Sequence, residues 1–224
     1  AQKAIIRYVS TNGNRVLTTD EVTGKSGEAI AYSTTSQITE FKKQGYKLVS
    51  DEFTAGGAKV YDYDTARDQV YTVTLSERVE PVNPDNPTPQ PNTPVNPGKP
   101  DSPRWPGTVE NLDNKESVSR TIHYVYEDGS KAKDDVVETL NFKRWSNVNL
   151  VTGHIDFQDW TTNDDTFDKV VSPTIAGYTA DKSETPAVSG VQAKDQDRVE
   201  TVTYRKDAQK AIIRYVSTNG NRVL

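Results

Sequence analysis

The chain has 224 residues, a net charge of −5, and no Cys or Met. A chain with this net negative charge lacks the concentration of basic residues that neutralises phosphates. Nucleic acid and anionic membranes are therefore not predicted as partners. The absence of Cys excludes disulfides and thiolate catalysis. No apolar run approaches the ~20 residues that a membrane-spanning helix needs.

One string, AQKAIIRYVSTNGNRVL, occupies positions 1–17 and returns unchanged at 208–224. An unchanged repeat of this length predicts one period of a tandem array, in which residues 207–224 begin the next copy. The lack of an initiator Met agrees, so we expect the parent protein to extend in both directions. Such repetition favours a surface that is presented many times over an enzyme with a single site.

Residues 1–79 predict a first domain that is mostly β. Two β-rich runs flank Asn12-Gly13, which is the strongest short signal for a hairpin. Thr34 has the spacing of a helix cap, and Gly45 suits the other end, so a helix is predicted at about 35–44. Further strands are predicted at 46–49 and 69–75. Hairpin, helix and strands in this order are typical of the β-grasp fold.

Most of the twelve prolines lie between Pro81 and Pro106. Each Pro lacks an N–H and restricts the residue before it, so neither a helix nor a strand is expected to run through this spacing. Residues 80–116 are therefore predicted to be an extended proline-rich linker that acts as a spacer.

Residues 117–206 repeat the first pattern in an enlarged form. Asp128-Gly129 takes the place of the first hairpin turn, and an added hairpin is predicted over 148–160. A short helix, capped by Asp164 or Asp165, is predicted to follow. The predicted fold class is therefore α+β: two β-grasp (ubiquitin-like) domains in tandem, mostly β with one short helix each, the second enlarged by an extra hairpin.

The residues that could carry chemistry argue against an enzyme. The chain has two His and no nucleophile motif, Gly-rich phosphate loop or HExxH sequence. Asp62, Asp64 and Asp68 offer the oxygen ligands that Ca²⁺ prefers, so a structural Ca²⁺ is one interpretation and a solvated loop is the other. No cofactor is predicted to be required.

Aromatic and amide side chains give the predicted ligand-binding site. Flat rings suit the faces of sugars, and nearby amides suit their hydroxyl groups. The predicted site residues are Trp145, Trp160, Asn147, Asn149 and Asn163. In the alternative interpretation, the two Trp rings cover a small core.

Long stretches of both predicted domains resemble one known family. In the first they are KAIIRYVSTNGNRVLTTDEVTGKSGE, KKQGYKLVSDEF and DQVYTVTLSE; in the second, SRTIHYVYEDGSKAKDDVVETLNF, DWTTNDDTFDKVVSPTIAGYTADKSETPAV and VETVTYRK. These segments are similar to the mucus-binding (Mub/MucBP-type) repeats of cell-wall-anchored adhesins from gut lactic acid bacteria. The resemblance implies an extracellular, non-enzymatic repeat on the bacterial surface, anchored to the cell wall through its parent protein. Its implied partners are mucin glycoproteins, their glycans and the neighbouring repeats.

The sequence is compatible with three different functions. The first is multivalent binding of mucin glycans by a tandem array. The second is binding of immunoglobulin or another host protein, in which an exposed edge strand pairs with the partner. The third is a passive stalk spacer. Enzymatic removal of glycans should abolish the first activity and spare the second.

Overall fold

The computed structural model describes residues 1–219, which form two compact units. The first unit contains residues 1–115 and 143–161, and the second contains residues 116–142 and those from 162 onward. A stretch that the sequence places inside the second domain therefore belongs to the first unit. No helix in residues 1–219 is long and apolar enough to cross a membrane.

The regular elements of residues 1–219 are mostly strands. In chain order they are β1 (Gln2–Ser10), β2 (Val16–Gly24), α1 (Thr35–Lys43), β3 (Tyr46–Asp51), β4 (Gln69–Glu77), β5 (Val79–Val82), a 3-10 helix (Gly107–Asn111), β6 (Lys115–Tyr126), β7 (Lys131–Lys143), β8 (Ser146–Asn149), β9 (Ile155–Phe157), β10 (Val170–Val171), β11 (Tyr178–Ala180), β12 (Glu184–Thr185) and β13 (Arg198–Lys206).

The first unit is built on a four-stranded sheet in the order β2-β1-β4-β3. The central strands β1 and β4 are parallel, and the outer pairs are antiparallel. Ile6 and Tyr8 of β1 are fully buried, and α1 packs Ile38 and Phe41 into the same core because these residues lie three apart on one helical face. The predicted hairpin, helix and strands of the first domain are therefore confirmed.

Thr34 precedes α1 but does not cap it. Its side chain makes no capping hydrogen bond, and its hydroxyl instead donates to Asp51 Oδ2 at 2.6 Å. This bond ties the start of the helix to the end of β3. The prediction that the Thr34 side chain caps the helix is therefore wrong, although the helix begins where it was expected.

The first unit contains a second sheet, ordered β5-β8-β9. Its presence shows that the prediction of an extended linker over residues 80–116 is wrong. Pro81 lies in β5 and pairs with Asn147 of β8. A strand can hold a Pro at a sheet edge, because an edge strand has one side that needs no N–H donor. The added hairpin predicted over 148–160 is present as β8 and β9, but it belongs to the first unit.

Residues 92–105, here named the proline hairpin, also fold back on themselves. The Asn92 N–H donates to the Trp105 carbonyl at 2.9 Å, and the Val95 N–H donates to the Pro103 carbonyl at 2.9 Å. Because the residues between the prolines supply these donors, the segment pairs despite its composition. Trp105 packs against a core that includes Val148, so this stretch is not a free spacer.

The second unit repeats the strand arrangement of the first. Its sheet has the order β11-β13-β6-β7. Strands β6 and β13 are parallel, and β11 pairs with β13 in the antiparallel sense. Ile122 and Tyr124 of β6 are buried with Val202 and Tyr204 of β13. The predicted recurrence of the first strand pattern therefore extends to the sheet order.

The helix predicted after Asp164 or Asp165 is absent from the described residues. Val170 and Val171 form strand β10 and pair with β12. The β-branched pair favours an extended backbone, and Phe167 is fully buried where it bridges to Val188. The prediction of one short helix in each domain is thus wrong for the second.

Arg120 holds the loops of the second unit onto its sheet. It is 1% exposed, and it donates to Glu138 Oε2 at 2.7 Å, to the Pro186 carbonyl at 2.8 Å and to the Asp168 carbonyl. Its guanidinium also lies 5.2 Å from the centroid of the Phe167 ring. One buried charge therefore joins strands β6 and β7 to two loops.

Candidate functional site

Trp160 lies in an aromatic cluster around Arg144 in the first unit. The Arg144 Cζ atom lies 4.0 Å from the Phe157 ring centroid and 4.3 Å from that of Trp160. Its Nε donates to the Asp113 carbonyl at 2.8 Å, and its Nη2 lies 3.0 Å from Asp113 Oδ2. Trp160 is half-buried against a cation, which corresponds to the interpretation of this ring as part of the packing.

Trp145 is in a different environment from Trp160. It is 47% exposed and lies immediately before β8. Along this strand Ser146 and Val148 are buried, whereas Trp145 and Asn147 lie on the opposite side because side chains alternate between the faces. Trp145 therefore presents its ring on the outer face of the β5-β8-β9 sheet.

The neighbours of Asn147 complete this outer face. Asn147 is paired with Pro81 of β5 and with Asp156 of β9. Pro81 and Asp156 are both exposed, and Asn147 is partly exposed. We define the outer face by these three residues and Trp145, which together offer one ring, one amide and one carboxylate.

Asn149 has a structural partner at each end of its amide. Its Nδ2 donates to Glu77 Oε2 at 2.7 Å, and its Oδ1 accepts the N–H groups of Val151 and Thr152 at 3.0 and 3.1 Å. The bond from Asn149, and then one from Asn12, lowers the pKa of Glu77. Asn149 therefore fixes the turn between β8 and β9 to the end of β4.

Asn163 is exposed and lies in the second unit. Trp145, Asn147, Asn149 and Trp160 lie in the first unit. The outer face is accordingly made of first-unit residues alone.

The three carboxylates predicted to bind Ca²⁺ point to separate partners. Asp62 and Asp64 accept backbone N–H groups within their own turn, at 3.1 and 2.9 Å, and Asp68 lies 3.2 Å from the ammonium of Lys3. Within residues 1–219, no group of three or more His, Asp or Glu side chains is placed to hold a metal ion. The three carboxylates are therefore held by separate contacts, and the Ca²⁺ site stays a prediction.

Two family models together cover most of the chain. Residues 2–77 match a mucin binding domain, and residues 109–208 match a Muc B2-like domain. Among solved structures, the type 2 repeat of the mucus binding protein MUB from Lactobacillus reuteri is 28% identical, with 92% of this chain and 100% of that chain covered and a TM-score of 0.59.

Two further structures are similar. Mub-RV is 25% identical, with 93% of this chain and 100% of that chain covered and a TM-score of 0.72. The MucBP domain of the adhesion protein from Pediococcus pentosaceus is 35% identical, with 41% of this chain and 99% of that chain covered and a TM-score of 0.37. No curated protein matches the chain.

The chain belongs to the Mub/MucBP family of mucus-binding repeats. This family consists of mucin-binding modules of bacterial adhesins, and these modules are non-catalytic. The prediction that the chain is not an enzyme is thereby confirmed. The mucin binding match lies within the first unit, whereas the Muc B2-like match contains residues of both units.

The sequence did not single out Arg144, although its guanidinium lies against the rings of both Phe157 and Trp160. Period-two alternation was the signal that could have found it, because Arg144 shares a face with Ser146 and Val148 and not with Trp145. That alternation also separates the two Trp residues that the sequence grouped together. One ring packs on a cation, and the other faces outward.

Proposed function

We propose that this mucus-binding repeat binds mucin glycans on the outer face of the β5-β8-β9 sheet. The exposed ring of Trp145 would lie against the apolar face of a sugar. Asn147 would donate to and accept from hydroxyl groups, and Asp156 would accept from them. The observation that carries this proposal is the exposure of Trp145 beside these two polar groups.

The sheet supports the proposal because it fixes these groups before any ligand arrives. Asn147 is held by strand pairing on both sides, and the Arg144 cluster closes the end of the β8-β9 hairpin. A site that is ordered in advance loses less conformational entropy on binding. A shallow face of this kind should nevertheless hold a single glycan weakly.

Replacement of Trp145 by Ala tests the site. Binding of the W145A chain to immobilised mucin should fall by about five- to tenfold, the loss of an aromatic contact worth ~1–1.5 kcal/mol. Tyr63→Ala is the matched control, because Tyr63 is an aromatic residue that is 80% exposed and lies outside the outer face. Surface plasmon resonance measures binding, and thermal unfolding checks the fold of each variant. Wild-type binding by W145A would refute the site.

Weak single sites suit an array, and we infer that repeats of this kind act multivalently. Linked sites can raise avidity by ~10²–10⁴ without any new contact. Chains of one, two and four repeats should bind a soluble monovalent glycan with equal affinity per site. On immobilised mucin, dissociation should become slower with each added repeat. Equal retention of one and four repeats would favour the passive spacer.

We also infer that the first unit is a β-grasp domain and that the parent protein is anchored to the bacterial cell wall. The fold inference is supported by the order β2-β1-β4-β3, the parallel central pair and the helix that covers the sheet. The location is supported by the similarity to a repeat of the mucus binding protein MUB. Release of the parent from intact cells by a wall-degrading enzyme would test the anchoring.

Edge-strand pairing with an immunoglobulin is the second candidate, and one observation favours it. Strand β7 is 13 residues long and lies at the edge of its sheet, where Val137 is 62% exposed. An unpaired edge can add a strand from a partner. If this candidate is correct, binding to host protein should survive enzymatic removal of glycans.

A further inference from the structure

The C-terminal end of α1 and the proline hairpin enclose a groove in the first unit. Two cavities of about 550 and 210 Å³ share Lys99 and Ser102 in their linings. The basic residues that line the groove are Lys42, Lys43, Lys47, Arg78, Lys99 and Arg104. This concentration of positive charge is opposite in sign to the net charge of the chain, which is −5.

Both arginines of the groove are already engaged. Arg78 Nη2 lies 2.8 Å from Glu80 Oε2, and Arg78 Nε donates to the same oxygen at 2.9 Å. Arg104 donates through Nη1 to the carbonyl of Asn92. The planar fork of Arg78, which would recognise a carboxylate in a bidentate manner, is therefore committed within the protein, and Arg104 has one of its terminal nitrogens committed in the same way.

The lysines of the groove are less committed than the arginines. Lys43 forms an ion pair with Glu40 at 2.7 Å. Within residues 1–219, Lys42, Lys47 and Lys99 take part in no ion pair. Asp101 is the carboxylate that lines the same groove. Its single negative charge reduces the positive charge of the three lysines but does not neutralise it.

We propose that this groove binds a sulfate ester carried by a glycan, with Lys42, Lys47 and Lys99 as its charge partners. A lysine ammonium is a compact point charge on a flexible stem, which suits a tetrahedral oxyanion that accepts from several directions. The planar carboxylate of an acidic sugar is matched best by an arginine fork. The three lysines without ion pairs and the committed fork of Arg78 therefore favour sulfate.

The rest of the lining fits a sugar better than a nucleotide. Pro94 and Pro100 are exposed at the groove and offer apolar ring faces to the C–H groups of a pyranose. Tyr46, the aromatic residue of the lining, is 6% exposed, so it presents no face on which a base could stack. The groove thus combines free cations with apolar ring faces.

The backbone holds Lys99 at the mouth of both cavities. Its N–H donates to the Asn96 carbonyl at 3.2 Å, and its carbonyl accepts the N–H of Ser102 at 3.1 Å. Gly98 has a φ of 84°, which lets the chain turn before Lys99. The position of Lys99 is therefore set by the turn rather than by a ligand.

The test uses the whole chain and a galactose-6-sulfate disaccharide, compared with its unsulfated parent and with a glucuronate disaccharide. Calorimetry should detect the sulfated sugar alone, with an affinity that falls as salt is added. Lys47→Ala and Lys99→Ala should each weaken binding roughly two- to fivefold, as expected for exposed charge pairs. Asp101→Asn should strengthen binding, and Lys133→Ala, an exposed lysine of the second unit, should leave it unchanged.

The outcomes separate this inference from the proposed function, on which it rests for the source of the glycan. Failure of the wild-type chain to bind the sulfated sugar, or equal binding of glucuronate, would overturn the groove proposal. In either case W145A could still lose mucin binding, and the outer-face site would stand. If W145A binds mucin normally while K99A loses the sulfated sugar, the outer-face site falls and the groove stands. Binding of polyphosphate in preference to sulfate would also overturn it.

Discussion

The two units of this mucus-binding repeat have the same order of strands and cover their sheets in different ways. In each unit a hairpin lies beside a parallel central pair, and a short antiparallel strand completes the sheet. The first unit covers its sheet with α1, which contributes Ile38 and Phe41. The second covers the buried face of β6 with loops that converge on Arg120. The same arrangement of strands is therefore covered by a helix in one unit and by loops in the other.

The two covers differ in whether the contacts that hold them are directional. Contacts of Phe41 with its core are apolar and non-directional, so several ring positions can satisfy them. The contacts of Arg120 are hydrogen bonds to fixed acceptors in a buried place, and each lost bond leaves a polar group without a partner. The second unit should therefore depend more heavily on a single side chain.

Replacement of Arg120 by Ala should give the largest effect. It leaves Glu138 and two loop carbonyls without their donor, and removal of one partner of a buried ion pair costs about 3–5 kcal/mol. Urea unfolding of the second unit, followed by NMR signals of β13, should shift to lower concentration. The three Trp residues lie in the first unit, so Trp fluorescence follows that unit separately.

Arg120→Lys is the control for charge. It keeps a cation beside Glu138 but cannot reach all of the acceptors at once, so it should fall between the wild type and R120A. If R120A and R120K unfold at the same urea concentration as the wild type, the loops are held by their apolar residues, and the contrast between the two covers is wrong.

Two equivalent glycines give a smaller contrast. Gly45 precedes β3 and Gly177 precedes β11, and each of these strands begins with a Tyr. The φ values of the two glycines are 95° and 79°. A Cβ on Gly45 would lie 2.8 Å from the backbone of Leu150, whereas one on Gly177 would meet nothing within 4 Å. Both Ala variants should lose about 1–2 kcal/mol from the left-handed backbone, and G45A should lose about 1–3 kcal/mol more from overpacking.

Urea unfolding measures this glycine contrast, with Trp fluorescence for the first unit and NMR signals of β13 for the second. G45A should lower the midpoint for the first unit, and G177A should leave that midpoint unchanged. Equal losses in the two units would mean that the β8-β9 turn moves away from Gly45 at little cost.

The smallest effect concerns Glu77, whose position at the end of β4 corresponds to Lys206 in β13. Because the folded pKa of Glu77 is lowered, chiefly by Asn149, its carboxylate stabilises the fold above its unfolded pKa. This contribution is lost as the pH falls through the folded pKa. Asn149→Ala should raise the pKa toward its ordinary value and remove less than about 1 kcal/mol of this pH-dependent stability.

Carboxyl NMR titration of Glu77 in the wild type and N149A checks this expectation. Asn12→Ala is the matched variant, since Asn12 also donates to Glu77, at 3.1 Å, but is the lesser cause of the shift. A larger rise of the pKa in N12A than in N149A would contradict the assignment of Asn149 as the main partner.

The local elements of the first domain could be predicted because their signals lie close together in the chain. Asn12-Gly13 marks a turn, and Gly13 has a φ of 69° as such a turn requires. The helix follows from the spacing of Ile38 and Phe41. The site was harder to predict, because the separation of Trp145 from Trp160 depends on which face of β8 is buried.

The proline segment and the second predicted helix show where local signals fail. Proline spacing excludes a central strand, but it does not exclude an edge strand such as β5, whose pairing with β8 joins residues far apart in sequence. Val170 and Val171 became a strand because β12 offered a partner. The cationic groove likewise joins α1 to the proline hairpin, which no local pattern connects.

The repeated string separates what sequence determines from what tertiary structure decides. Its identity predicts a tandem pattern, and its alternation determines which residues can face a core. Ile6 and Tyr8 are fully buried in β1, whereas the same residues of the second copy, Ile213 and Tyr215, are 77% and 71% exposed. In β1 they are covered by α1 and paired with β4. A strand is stabilised by contacts with distant segments, so alternation marks which side chains can be buried and tertiary partners decide whether they are.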